Sequence, residues 1–564
     1  MKNKAILLLT IAALLAACGS RGNKSSTTST TSQDTSSTTS SSTTSEDTRE
    51  YGYDFYSGYY GELKWNDGTD LKQKLHDIIR NGFNPLRYNV PNWETNTYAD
   101  RAKYDHEFVD AVYAADDIEA SLTQKNWQRE HAFAASLMTG QLTSDAVKTL
   151  GRATDFHNLF AGDSSGNTSR GNKNFGVADV NAASYQNRTT DNGNDGYSFD
   201  SKTFEPGNKD KGRLARAIFY MGTMYKDAED GYQGLTIVEE NVEYSSGSPC
   251  QYAIGHLSEL LTWANSYSVD FLEMQHNESV YSHIYTKDNK AQGNRNPFVD
   301  YPGLVDYVYG SKQSESGDLK YIKPACYDLG SNTNEFSHYA LETAQRTFGY
   351  GETLTASSFS VVKVNKNYTT AAAASSEYSH NLMNYTFSTS DGHSKEAIIT
   401  AGNQAIKYTI SLDPMGGCSY YYENMKNTGI NKASPNTDQS VTYGDVAFTF
   451  NFAATGSVTC TNTSAGGFKI GSKTVPVTKI TLKTVNSYTI DKAFFKGYAA
   501  NVDSSYTLSI LVGNQEVYSA DVKYGTTPVV YGHDLGGSYT GNISYVLTGT
   551  NAINLNAVAF NVVS

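Results

Sequence analysis

Cysteine, basic charge and long apolar runs are all scarce in this chain, and each shortage narrows what it can do. Only five cysteines occur in 564 residues and no two stand in CxxC spacing, which argues against a zinc knuckle or a thioredoxin-type site. Cys250, Cys326, Cys418 and Cys460 leave two disulfides open outside a cell, and the sequence assigns no pairing. Lys and Arg number 45 against 58 Asp and Glu, a formal charge of −13. That balance argues against a polyanion ligand unless basic groups are concentrated locally. The apolar run from Ala5 to Ala17 is too short to hold a bilayer as a stable span, and no internal repeat is found.

What that short run does fit is a signal peptide, because Lys2 and Lys4 precede it and small residues follow. It ends in "LAAC", Leu15 to Cys18, which resembles the lipobox of bacterial lipoproteins, in which the cysteine is acylated. The expectation is a chain outside the cytoplasm, lipid-anchored at Cys18 or secreted. From Ser25 to Thr48 the chain is almost entirely Ser and Thr and has no apolar residue to bury, so it cannot offset the entropy of ordering itself. As a flexible tether it would hold the folded part roughly 30 Å from a membrane.

Two textures follow. Up to about Gly310 the apolar residues recur at helical spacing. "GRLARAIFYMGTMYK" puts Leu214, Ala217, Ile218, Met221 and Met224 on one face, and "LSELLTWANS" and "SVDFLEMQHNESVYSHIY" behave alike, the latter with Ser268 and Asp270 as capping candidates. Beyond about Ala371 the pattern becomes short alternating runs such as "VAFTFNF", "KITLKTV", "YTLSILVG", "NISYVLTG" and "INLNAVAFNVV", as in a sandwich or jelly roll. The expected organisation is a signal peptide at 1–18, a linker at 19–50, a mainly helical α+β unit at 51–315 and an all-β domain at 371–564. Residues 316–370 are assigned to neither.

The chemistry concentrates in "NWQREHAFAAS" and "TDFHNLFAGDSSGNTSRGNKNFG". The pattern predicts a short helix that begins at His131, a second over "TSDAVKTLG", a strand over Thr154 to Phe160, and a loop into a helix near Asn167. A histidine and an asparagine so placed can converge. Such a set suits phosphodiester hydrolysis. A histidine near its ordinary pKa can deprotonate water, and a hard divalent cation can supply positive charge to the phosphate. Magnesium prefers few protein oxygens and several waters, which Glu130 and Asn167 would satisfy; Mn2+ and Ca2+ are the other candidates. Arg129, Arg152 and Arg170 could hold phosphates by forked hydrogen bonds, and Lys209, Lys211, Arg213 and Arg216 could extend the track.

At these residues, together with "QGNRNPFVDYP" from Gln292 to Pro302, the chain resembles the endonuclease I family of secreted bacterial nucleases, a ββα-metal (His-Me finger) group. The resemblance implies a general base at His131, metal ligands at Glu130 and Asn167, and the arginine of the following turn at Arg170. It also implies a backbone carbonyl near Ala153 that orients His131, and a sequence-tolerant endonuclease, a monomer acting on DNA and often RNA to leave 5′-phosphates. Two departures, Ala in place of the usual Pro after Glu-His and Phe160-Ala161 in place of Arg-Pro, bear on substrate grip rather than chemistry.

Blander roles are expected elsewhere. His157, inside the strand, is read as a structural hydrogen-bonding residue, Asn172 is a weaker rival to Asn167, and Arg216 on its helix is equally well explained by a salt bridge. "DNGNDGYSFD" lacks the ligand positions of a calcium loop and reads as a polar turn. The β domain shows no catalytic set; carbohydrate, nucleic acid or another surface ligand stay open for its tyrosines. The alternative from a different class is a surface adhesin or carbohydrate-binding lipoprotein carrying an inactive nuclease-like domain.

Overall fold

The computed structural model describes residues 49–563 apart from short segments, chiefly 89–93, 121–126, 140–150 and 244–250. The signal peptide, Cys18 and the Ser/Thr tether lie outside the described residues, as do the "TSDAVKTLG" helix and Cys250.

The first unit is built around a helix that is buried on every side. α1 (Asn208–Met224) encloses not only the predicted stripe but also Ala215, Phe219 and Tyr220, all essentially inaccessible. Its stretch from Leu214 to Met224, apolar apart from Arg216 and Thr223, belongs at the centre of a core, while its first turns carry Lys209, Lys211 and Arg213. α2 (Leu257–Ser266) packs along it, and α3 (Phe271–Ser282) is tied to it by the Arg216–Glu273 ion pair. Asp270, not Ser268, caps α3 by accepting the Glu273 N–H at 2.8 Å, which satisfies one of the first-turn donors.

This unit is not mainly helical. Its helices are interleaved with two- to five-residue strands in small sheets. Apolar spacing could not reveal these, because a strand of two residues has no period to read. Nor does the unit stop at residue 315. Gly317–Asp318 pairs with Lys64–Trp65, and Leu319 and Cys326 join the first core.

The β region starts earlier than residue 371 and, among the described residues, holds two large cores and a smaller cluster of Met415, Phe494, Ala557 and Ala559. β1 (Phe336–Ala344) pairs antiparallel with β2 (Phe359–Asn365). A second sheet includes β3 (Ser394–Ala401) and β4 (Gln404–Asp413), and Leu341, Phe348, Ile399, Ile406 and Ile410 fill the space beneath. Arg346 ties this part to the first unit through Asp105 at 2.6 Å and Glu107 at 3.1 Å. The last part is a sandwich of two six-stranded sheets. One contains β5 (Val446–Ala454), β6 (Val477–Thr484), β7 (Ser505–Val512) and β8 (Ile543–Thr550). The other pairs β9 (Ile553–Val562) with Tyr488–Ala499. Phe448, Phe450, Leu508 and Leu547 meet Phe495 and Phe560 in one core. The five strands expected from alternation are thus present nearly at their expected bounds, since a half-buried strand shows its period of two directly.

Candidate active site

A hairpin and a helix assemble the site. β10 (Trp127–His131) pairs antiparallel with β11 (Leu159–Asp163), Glu130 opposite Phe160 and His131 opposite Leu159, and α4 (Ser164–Arg170) follows at once. Asp163 closes β11 and caps α4 by accepting the Gly166 N–H at 2.7 Å, which fixes the angle between strand and helix. His131 therefore ends a strand rather than opening a helix, and the second strand begins five residues later than the apolar pattern suggested. Trp127 anchors the hairpin in a small core with Val109, Ala111 and Ala161.

The alternation of a strand sorts the side chains of β10. Gln128 and Glu130 lie on one side with α4, where Asn167 Nδ2 donates to Gln128 Oε1 at 3.0 Å and to the Arg129 carbonyl at 3.4 Å. A carbonyl can only accept, so the nitrogen of the Asn167 amide faces Arg129 and its Oδ1 is left for another partner. His131 Nε2 lies 2.9 Å from the Ala153 carbonyl. By the same reasoning Nε2 carries the proton and Nδ1 keeps its lone pair. Burial, opposed by that hydrogen bond and aided by Arg129 and Arg170, pushes His131 down to about 4, so the imidazole is neutral at pH 7.

Glu130 is buried. Its Oε1 accepts the Tyr113 hydroxyl at 2.9 Å and lies 3.4 Å from Arg170 Nη1, while Oε2 has no hydrogen-bond partner among the described residues. Burial raises Glu130 to about 7 against the pull of Arg170 and Tyr113. Arg170, 1% exposed, donates to the carbonyls of His131 at 3.0 Å and Ala132 at 2.7 Å, with its guanidinium over Phe175. It thereby braces the end of β10.

Glu130, His131, Asn167 and Arg170 all line one cleft of about 750 Å3, together with Tyr88, Arg129 and Asn172. Arg129 lies over the Tyr88 ring at 3.7 Å and donates to the Tyr88 carbonyl, and Tyr88 stacks beside His131 at 5.7 Å.

The other expected substrate contacts are elsewhere. Arg152 is buried, donates to the Gln233 carbonyl at 2.8 Å and sits between Tyr225 and Tyr232. Arg216 forks onto Glu273 with two bonds of 2.6 Å. Lys209 and Arg213 pair with Asp110, and Lys211 with Glu205. The basic track read from the sequence is thus neutralised by carboxylates, Glu205 and Asp210 nearby in the chain and Asp110 and Glu273 distant in it. His157, as expected for a structural residue, bonds the Asn294 carbonyl at 2.9 Å, and the asparagine-rich motif from Gln292 is buried, Asn294 and Gln292 bonding Tyr220 and Asp155.

Sequence reasoning overlooked three residues. Asn158 brackets Phe133 with Oδ1 on its N–H at 2.6 Å and Nδ2 on its carbonyl at 3.1 Å. Tyr113 and Tyr88 come from segments with no motif. For Asn158 the signal was its place beside His157 in "DFHNLF"; for the tyrosines there was none.

A paired hairpin and helix carrying Glu, His and Asn on one cleft defines a ββα unit. Residues 67–303 match the family model of endonuclease I. Two extracellular ribonucleases, from Bacillus amyloliquefaciens and Bacillus subtilis (strain 168), are each 31% identical to the chain over 257 and 260 residues, covering 44% of this chain and 78% of each relative. The chain belongs to the endonuclease I family. Among solved structures, a family 29 carbohydrate-binding module is 18% identical, covering 25% of this chain and 88% of its own length. A module from Clostridium stercorarium solved with cellobiose is 13% identical, covering 25% and 98%. Both have a TM-score of 0.15, too low to carry an argument.

Proposed function

We propose that the ββα unit is a metal-dependent endonuclease that hydrolyses phosphodiester bonds with little sequence preference and leaves 5′-phosphates. The observation that carries this reading is the His131–Ala153 hydrogen bond, which leaves Nδ1 with its lone pair on a residue that lines the same cleft as Glu130 and Asn167. His131 takes a proton from water at Nδ1 while Nε2–H stays on Ala153, so the imidazolium forms without turning the ring. Arg170 holds the backbone at His131 and Ala132, at the end of the strand that carries Glu130.

The donor set fits a hard cation. Glu130 and Asn167 would supply its protein oxygens, and Mg2+, Mn2+ or Ca2+ would complete its shell with water. When bound, such an ion supplies positive charge to the phosphate and the leaving oxygen. Arg129, which lines the cleft beside Tyr88, is the contact proposed for a neighbouring phosphate. RNA stands beside DNA as substrate, since the relatives carry the name ribonuclease. Their description as extracellular, with the signal-like N-terminus, supports action outside the cytoplasm; lipid anchoring at Cys18 rests on "LAAC" and is tested by fatty-acid labelling against Cys18→Ser.

The direct test is cleavage of plasmid DNA and of RNA by the purified chain with Mg2+, against the same chain with EDTA and against His131→Ala. Cutting lost in both controls supports the ion and the base together. An intact chain that cuts neither substrate with Mg2+, Mn2+ or Ca2+ overturns the reading.

A further inference from the structure

Tyr113 stands out because its backbone is strained at the point where its side chain reaches the site. Its φ is +71°, a left-handed conformation that non-glycine residues adopt only when their surroundings enforce it. Three contacts enforce it here. The Val112 N–H donates to the Ala161 carbonyl at 2.8 Å, and the Asp163 N–H to the Val112 carbonyl at 2.9 Å, which stitches the preceding residue to β11. The Tyr113 N–H donates to Asp210 at 2.7 Å, and Asp210 is itself held by Arg213.

The turn projects the phenol past α4 to Glu130. Space for it exists because residue 166 is glycine: a Cβ there would lie 2.6 Å from Tyr113 Cβ. The ring packs edge-on against Phe204 at 4.8 Å, and its hydroxyl reaches Glu130 Oε1 at 2.9 Å. Arg170 approaches the same oxygen. Two donors thus converge on Oε1 and none of the described residues bonds Oε2.

We propose that Tyr113 is a positioning residue for cation binding: its hydroxyl pins Glu130 Oε1 and so presents Oε2 as the single carboxylate oxygen offered to a divalent ion. The inference rests on the reading of Glu130 as a metal ligand given above. Tyr113 touches neither the ion nor the substrate, and acts through the rotation of one carboxylate.

The experiment is calorimetric titration of the full chain with Mn2+, comparing wild type, Tyr113→Phe and Glu130→Gln, with cleavage measured across Mn2+ concentrations. Tyr113→Phe keeps the ring and its packing and removes one charge-assisted hydrogen bond, so Mn2+ binding should weaken about tenfold. The rate at saturating Mn2+ should return to the wild-type value. Gly166→Ala, which pushes the phenol away while keeping the tyrosine, should weaken binding similarly, and melting curves without metal identify any variant that has lost its fold. Wild-type affinity in Tyr113→Phe, with binding lost in Glu130→Gln, overturns the proposal and leaves the metal reading standing. A wild-type chain that binds no Mn2+ overturns the metal reading and this inference with it.

Discussion

Replacing Asn158 by Ala should damage both stability and catalysis, although Asn158 touches no substrate. The side chain is fully buried, and its amide satisfies the N–H and the C=O of Phe133 at once. The Ala132 N–H also donates to the Asn158 carbonyl at 2.9 Å, so this one residue continues the hairpin past His131. Alanine leaves two buried backbone groups unpaired. At about 1–3 kcal/mol for each group, the expected loss is about 3 kcal/mol, measurable as a shift of the urea midpoint at constant slope. The turn after His131 loosens with it, and kcat should fall at least roughly tenfold, since small misplacements of a base are costly. Asn158→Asp keeps the acceptor for the Phe133 N–H but sets a carboxylate against the Phe133 carbonyl, and should be no better at neutral pH. An Asn158→Ala chain within about 0.5 kcal/mol of wild type and with normal kcat would refute the argument.

Other perturbations separate framework from chemistry. Arg170→Met removes the countercharge of buried Glu130 and two carbonyl contacts; a loss of about 3 kcal/mol with little cleavage is expected by denaturant unfolding and plasmid assay. Arg216→Met should cost about 3–5 kcal/mol by stranding Glu273, adding Glu273→Leu should restore most of it, and neither should change the Kd for nucleic acid in a filter-binding assay. In the β region, burial works to raise Asp391, but Lys395, Tyr385 and the Ser388 N–H hold it down to about 2. A carboxylate lowered on folding stabilises above its unfolded pKa near 4 and loses that contribution as pH falls towards 2. With Lys395 partly in water, roughly 1–2 kcal/mol should vanish over that window, and Asp391→Asn should flatten the loss in acid-unfolding curves.

How far the sequence could be read depends on the range of the interactions involved. Strands such as Val446–Ala454 and Ser505–Val512 were legible because one face is buried and the alternation is local. The Glu-His pair and Asn167 were legible as candidates because they sit in contiguous motifs, and the carbonyl expected near Ala153 is the one His131 meets. The sequence could not tell which arginines face the cleft. Arg152 and Arg216 look the same as Arg129 in a string of letters, yet their partners Glu229 and Glu273 lie 77 and 57 positions away. An ion pair of that separation exists only after the chain has closed on itself.

The amino-acid sequence by itself determined the change along the chain from helical spacing to alternating strand, the residue types proposed to hold a hard cation and move a proton, and the order of the three motifs, because each is carried by neighbours along the chain. The tertiary structure alone decided the protonated nitrogen of His131, the neutralisation of the basic helix, the division of the β region into two large cores, and the hydroxyl of Tyr113 on Glu130. Each of those depends on a burial or a hydrogen bond between groups that only folding brings within reach, and local pattern carries no information about such a contact.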